Sequence, residues 1–230
     1  MNSSRLNKYI IYHNNSEEYH NLKREVFTSD LYYFETENTQ PVIIDAGAHI
    51  GLATLYFKQL YPGAQITALE PNPESFQVLE KNLFENMIDD VLTVQVALSD
   101  HSGEEHFFRD ETNEWWHSTA GFHKGSWLGT QESDEILVQT QMLSEYVTGP
   151  VDFLKMDIEG AEQKVLFASQ EVLPSIKELH IEFHTHSSQS LVKLVELLEK
   201  THTVELTKDG RDVVIKRATG LIQIRAINRN

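Results

Sequence analysis

Val42-Ile43-Ile44-Asp45-Ala46-Gly47-Ala48-His49-Ile50-Gly51 decides how this chain folds. Its first residues form an almost continuous apolar run, as expected of a strand covered on both faces. Gly47 permits a sharp turn and a close backbone approach by a ligand. Gly51 lets a new helix, read over 52–60, pack tightly on its strand. Asp45 ends the strand, where open α/β sheets keep their ligand crevice. The spacing is not the dinucleotide pattern Gly-x-Gly-x-x-Gly. A carboxylate facing the turn repels a pyrophosphate and suits a ligand that carries an ammonium group.

Outward from this stretch the chain alternates between two periods. Runs rich in β-formers lie at 9–12, 65–69, 92–98, 151–156 and 179–183, and helical patterns lie at 74–85, 161–168 and 191–200. Such alternation predicts βαβ units and a mostly parallel sheet in three layers. The tail differs: 203–206, 213–215 and 221–226 have no helix between them, and Lys208-Asp209-Gly210 and Ala218-Thr219-Gly220 are turn signals. They predict an antiparallel meander along one sheet edge. Residues 1–40 read as a leader of strand, helix (16–27) and short strand packed on a main domain at 41–230. Within that domain 109–135 stands apart as a long segment holding Trp115, Trp116 and Trp127, all the tryptophans of the chain. Long loops are usually functional or disordered, and aromatic content argues against disorder. The segment is read either as a lid that stacks on substrate or as an anchor on the core or an oligomer interface.

Composition removes several function classes. The 230 residues include 40% hydrophobic and 23% charged residues and no cysteine, which excludes a disulfide scaffold and a thiol nucleophile. The formal charge of −16 disfavours nucleic-acid and anionic-membrane partners. No apolar run reaches the ~18 residues of a spanning helix. The apolar stretch at 9–12 is too short for a signal-peptide core. The expectation is a cytoplasmic protein acting on a small molecule.

A second motif follows in Leu69-Glu70-Pro71-Asn72-Pro73, a strand closing on an acid with proline at the first helical turn. Glu70 lies at the spacing from the glycine turn at which an acid binds ribose hydroxyls. Together with Val96-Ala97-Leu98-Ser99-Asp100 and Leu154-Lys155-Met156-Asp157-Ile158-Glu159-Gly160-Ala161-Glu162, these motifs resemble the FkbM family of S-adenosylmethionine-dependent methyltransferases. His49 stands where that family typically has Asn. The resemblance implies an α/β, three-layer Rossmann-like methyltransferase fold with antiparallel C-terminal edge strands. It also implies S-adenosylmethionine as cofactor and a hydroxyl of a sugar, glycolipid or natural product as acceptor. Asp45, Gly47 and Gly51 would surround the amino-acid end of the donor. Glu70, with Pro71 and Asn72 beside it, would hold the ribose. Ala97 and Leu98, ending the third main strand, would lie near the adenine.

The residues themselves point to the catalytic end. Side chains alternate along a strand, so Lys155, Asp157 and Glu159 share one parity, and His180, Glu182 and His184 share another on a neighbouring strand. Charges in a sheet covered on both faces are costly unless paired. Lys155 and Glu182 are therefore expected to neutralise each other. Asp157, His184 or Glu159, nearer the carboxyl ends, is expected to take the acceptor's proton or bind its hydroxyl. A divalent metal on Asp157, Glu182 and His184 is the weighed alternative; no compact ligand pair is present, so no metal ligand is assigned. The competing functions are a nicotinamide-dependent oxidoreductase, a non-catalytic nucleoside-binding protein and an RNA methyltransferase. The missing dinucleotide glycines, the polar strand ends and the acidic balance respectively count against them.

Overall fold

In the computed structural model, which describes residues 1–110, 120–122, 133–215 and 218–229, the leader begins with a hairpin. Its strands are β1 (Asn2–Leu6) and β2 (Tyr9–His13). Helix α1 (Ser16–Lys23) follows, with the Asn15 side chain accepting from the N–H groups of Glu17 and Glu18, an ordinary N-cap. It runs on into a π-helical turn at Arg24–Thr28.

The main sheet takes β3 (Val42–Ala46), β4 (Gln65–Leu69) and β5 (Val91–Val94), with helices α2 (Leu52–Leu60) and α3 (Pro73–Glu85) between them. A second sheet is built from β6 (Ala97–Leu98), β7 (Gly103–Asp110), β8 (Ala120–Gly121) and β9 (Ser133–Gln141). The chain then returns through β10 (Val151–Met156), α4 (Glu162–Ala168), β11 (Ile176–His184) and α5 (Leu191–Leu198). It ends in β12 (His202–Lys208), β13 (Arg211–Asp212) and β14 (Leu221–Asn228). The eight-stranded order is β13-β12-β14-β11-β10-β3-β4-β5.

Strand parity divides the core into two apolar clusters, one on each face. Ile43, Ile66 and Phe153 pack with α2, α3 and the leader residues Tyr19, Val26 and Phe34. The alternate residues Ile44, Leu69, Leu154 and Met156 pack with α4, α5, β11 and β14. All six residues of β10 are buried, which fits a strand covered on both sides. Phe34 of the leader stacks on Phe153, with ring centroids 4.4 Å apart, so the leader is part of one layer.

Three details depart from the sequence reading. The run at 92–98 is not one strand: β5 ends at Val94, and β6 pairs with β9 in the second sheet. The reason lies in the side chains, for Ala97 finds its apolar partners in Phe107 and Val138 of that sheet. Apolar periodicity cannot tell a continuing strand from one that changes sheets. No strand forms between the leader helix and Gln40; the chain there is irregular, and Tyr32 and Phe34 plug the apolar layer. The tail is antiparallel as expected but is not a sequential meander. β14 inserts between β11 and β12, β13 covers only Arg211–Asp212, and Val213 to Ile215 are not in a strand. The alternation of Ile222, Ile224 and Ala226, all fully buried, calls for an inner position.

Gly51 has φ +89, and a Cβ there would meet Leu79 of α3 at 2.6 Å. The glycine thus sets the packing of two helices rather than of a helix on its strand. Gly51→Ala should cost about 2 kcal/mol through left-handed strain and overpacking. That predicts a thermal midpoint lower by roughly 4–8 °C; an unchanged midpoint would show that neither constraint operates.

Candidate active site

The strand order reverses between β3 and β10, since β4 and β5 continue one way and β11 the other. A crevice above the carboxyl ends of the strands at such a switch point is where open α/β sheets bind ligands. The β3 turn forms one wall. The N–H groups of Gly47 and Ala48 both donate to the Leu69 carbonyl at 2.9 Å. Gly47 has φ +76, and a Cβ there would lie 1.8 Å from the Asp157 carbonyl oxygen, so only glycine fits between the ends of β3 and β10. His49 adopts φ +52, a conformation that His tolerates better than most residues do.

Asp45 is fully buried. Its Oδ2 accepts from the Thr54 hydroxyl at 2.6 Å, and its Oδ1 lies 3.4 Å from Lys155 Nζ. The Lys155 ammonium also donates to the carbonyls of Gly47 and Ala46 and lies 3.9 Å from Asp157 Oδ2. Burial works against that charge, but Asp45, Asp157, Glu182 and Glu70 more than restore it and hold the Lys155 pKa above its ordinary value. Lys155 therefore does not pair directly with Glu182, contrary to the sequence expectation. Glu182 accepts from the hydroxyl of Tyr32 and from Gln223 instead. The register explains this, for Lys155 lies opposite Asp45 on β3 and opposite His180 on β11, two residues short of Glu182.

Glu70 closes over the turn. Its two carboxylate oxygens accept from the backbone N–H groups of His49 and Asn72, each at 2.8 Å. Burial raises its pKa to about 7, against the lowering effect of those two hydrogen bonds and of Lys155. The Asn72 side chain caps α3 through the Glu74 N–H, and Pro71 is half-buried beside it. Ala97 and Leu98 do not end the third main strand; they are buried in β6 of the second sheet.

The other wall gathers the polar residues at the ends of β10 and β11. Glu159 has φ +54 and Gly160 φ +98, a reversal that brings Glu159 back toward Asp157 and His184. Gly121 of β8 lies over this reversal, where a Cβ would meet the Glu159 carbonyl at 2.8 Å. His184 Nδ1 is 3.0 Å from Glu162 Oε1, and its Nε2 is 3.5 Å from Glu159 Oε2. Glu162 is fully buried and also accepts from the Gly160 N–H and from Gln189. Burial works to lower the His184 pKa, but Glu159 and Glu162 override it and hold it up to about 10. Glu159 itself is raised to about 8 by burial, with Asp157 and Glu162 adding to the shift. His180 and His184 are both buried, and His180 bonds to Gln223.

Five partners of the site were not legible in the sequence. Thr54 sits one helical turn beyond Gly51, and Glu162 closes the motif that begins at Leu154, where a buried acid inside Glu-x-x-Glu was the available signal for it. The leader gave no signal. Its Glu18 lies 3.4 Å from His49, Tyr32 bonds to Glu182, and Glu25 has its pKa raised to about 7 by burial together with Glu182 and Asp157. Trp115, Trp116 and Trp127 lie outside the described residues. Beside the second wall a cavity of about 330 Å³ is lined by Phe122, Gly160, Lys164, Phe167 and Gln189 among others.

β14 and β13 run against the other six strands of the main sheet; a mostly parallel sheet with such strands at its C-terminal end, and a ligand crevice at the β3/β10 switch point, defines the class I Rossmann-like methyltransferase architecture. Within that class the chain belongs to the methyltransferase FkbM domain family, whose model matches residues 45–204. It is 31% identical over 175 residues to methyltransferase sdnD of Sordaria araneosa, a match covering 62% of this chain and 66% of that protein. It is 26% identical over 159 residues to the 2-O-methyltransferase NoeI of Sinorhizobium fredii, covering 64% of this chain and 65% of that protein. The matches thus span slightly under two thirds of these relatives' own length. The crystal structure of methyltransferase FkbM from Methylobacillus flagellatus superposes with a TM-score of 0.56 at 18% identity, covering 91% of this chain and 50% of that one.

Removing Lys155 tests how the site is held. Lys155→Met leaves the Asp45 carboxylate buried without its cation and should destabilise the chain by about 3–5 kcal/mol. Adding Asp45→Asn should recover part of that loss in a double-mutant cycle by chemical denaturation. Strict additivity would show that the two groups do not interact.

Proposed function

We propose that this chain transfers a methyl group from S-adenosylmethionine to a hydroxyl of a small molecule such as a sugar, glycolipid or natural product. The observation that carries this is the pairing of two unlike walls across one crevice. The glycine turn with Glu70 suits a nucleoside, and the Asp157–Glu159–His184 cluster suits a hydroxyl. FkbM family membership and the name of the 2-O-methyltransferase relative support the same chemistry.

The residues present fit the donor. Gly47 lets the ends of β3 and β10 close on each other, since the Asp157 carbonyl takes the space of a Cβ, and so brings Asp157 beside the turn. The buried acids Asp45 and Glu70 favour a ligand that carries positive charge. Each Glu70 oxygen accepts one backbone N–H and keeps a lone pair for a ribose hydroxyl. The donor supplies an activated methyl group on a sulfonium, so the chain has to align an oxygen and remove its proton. Positioning at ~3–3.5 Å supplies much of the rate. Asp157, with 28% of its side chain exposed, is more open to the crevice than Glu159 or His184 and is the group proposed to take the proton. Glu159 and Glu162 favour the protonated form of His184, which supports a role in binding the hydroxyl rather than in accepting its proton.

Calorimetric titration of S-adenosylhomocysteine should show micromolar-range binding, weakened at least tenfold in Glu70→Ala. Ribose hydroxyls favour the charged carboxylate, so binding lowers the Glu70 pKa from about 7. Wild-type affinity should therefore be constant well above that pH and fall as pH drops below it, by roughly tenfold at one unit below. Equal affinity in both proteins would remove the ribose assignment, and no binding by wild type would remove the function.

Asp157→Asn should leave donor affinity nearly unchanged and lower turnover on an accepted substrate by roughly 10²-fold or more. Steady-state kinetics with labelled donor decide it: near-wild-type turnover would move the proton to another group.

A further inference from the structure

We propose that Asp157, Glu159 and His184 form a binding site for one divalent cation of the Mg²⁺/Mn²⁺ type at the acceptor end of the crevice. This inference rests on the reading of that crevice as the acceptor site. One ligand atom from each residue lies within 4.8 Å of the others, and the His184 Nε2 to Glu159 Oε2 distance is 3.5 Å. Neighbouring ligands of an ion at ~2.1 Å sit about 3 Å apart, so rotations of the Asp157 and Glu159 carboxylates close the set.

The imidazole is set up for this role. Its Nδ1–H donates to the fully buried carboxylate of Glu162 at 3.0 Å, so the Nε2 edge faces Glu159, and an ion bound there would take the place of the Nε2 proton. A carboxylate behind a histidine is the usual device for fixing the tautomer and orientation of a metal-binding ring. Glu162 is itself anchored by the Gly160 N–H and by Gln189, which leaves the ring little freedom.

The charges point the same way. Asp157, Glu159 and Glu162 converge on one imidazole, and Lys155 stands 3.9 Å from Asp157 while engaged with Asp45 and the turn carbonyls. Glu159 Oε2 is buried and makes no hydrogen bond. A divalent ion would balance Asp157 and Glu159 together, with a neutral His184 as third ligand. Two carboxylate oxygens and one imidazole nitrogen suit Mn²⁺ and Mg²⁺ better than thiophilic ions. Asp157 is the most exposed of the three, so an acceptor with a hydroxyl beside a second oxygen would reach a bound ion from the crevice. Coordination then holds the reacting hydroxyl and eases loss of its proton. The second Asp157 oxygen stays available to receive that proton. Glu159 takes the position that the sequence-level alternative gave to Glu182, because Glu182 is occupied by Tyr32 and Gln223.

The test is a titration of Mn²⁺ alone into the whole chain without donor or acceptor, with free ion read from its paramagnetic resonance signal. One ion per chain is expected, with affinity at least tenfold weaker in His184→Gln and in Asp157→Asn. Asp100, His101 and Glu105 form a second, exposed cluster, so His101→Ala is the control and should leave the crevice site unchanged. No saturable binding, or binding lost in His101→Ala and retained in His184→Gln, overturns the proposal. Near-ultraviolet circular dichroism checks folding; if His184→Gln fails it, Asp157→Asn decides, since that side chain sits at the open rim. S-adenosylhomocysteine titrated into the same wild-type preparation separates the two readings. Its binding without Mn²⁺ binding overturns the cation site and leaves the methyltransferase reading standing. Mn²⁺ binding without it supports the cation site and contradicts the donor reading.

Discussion

The buried ammonium of Lys155 is the interaction on which the rest of this molecule depends. It ties the end of β10 to the turn after β3 by donating to the Gly47 and Ala46 carbonyls, and it carries the charge that makes a buried Asp45 tolerable. A lysine in a strand covered on both faces costs several kcal/mol of desolvation unless it is paired and hydrogen-bonded. Here the surrounding acids meet that cost, and the same contacts bring the two walls of the crevice to a fixed separation. The missing Cβ at Gly47 lets the walls touch, since the Asp157 carbonyl occupies the space that a side chain would fill.

From this tie the two ends of the crevice take different characters. On the β3 side the N–H groups of His49 and Asn72 hold the Glu70 carboxylate over the glycine turn. On the β10 side a chain reversal at Glu159 and Gly160 folds three carboxylates around His184. The leader closes the arrangement: Glu18 meets His49, and Tyr32 meets Glu182, so a segment outside the residues matched by the family model supplies part of the site's environment.

Much of this was legible in the sequence, for identifiable reasons. The parallel sheet was readable because β3 and β10 are short apolar runs bounded by turn residues, a pattern fixed by burial on both faces. Glu70, Asp157 and His184 were readable because a charge ending a covered strand has few structural uses. What escaped notice depended on partners distant along the chain. Lys155 and Glu182 share a compatible parity, yet the third dimension gives Lys155 to Asp45 and Glu182 to Tyr32. The break between Val94 and Ala97 was invisible because both fragments are apolar and only the second sheet distinguishes them. The insertion of β14 between β11 and β12 likewise leaves no local mark beyond the alternation of Ile222, Ile224 and Ala226.

The central claim is that one crevice holds a nucleoside on the β3 side and a reacting hydroxyl on the β10 side. A crystal structure of the chain with S-adenosylhomocysteine tests it most directly. The account predicts the ribose hydroxyls within hydrogen-bonding distance of the Glu70 carboxylate and the thioether sulfur turned toward Asp157. A nucleoside seated elsewhere, for example in the cavity lined by Phe122 and Phe167, would contradict it.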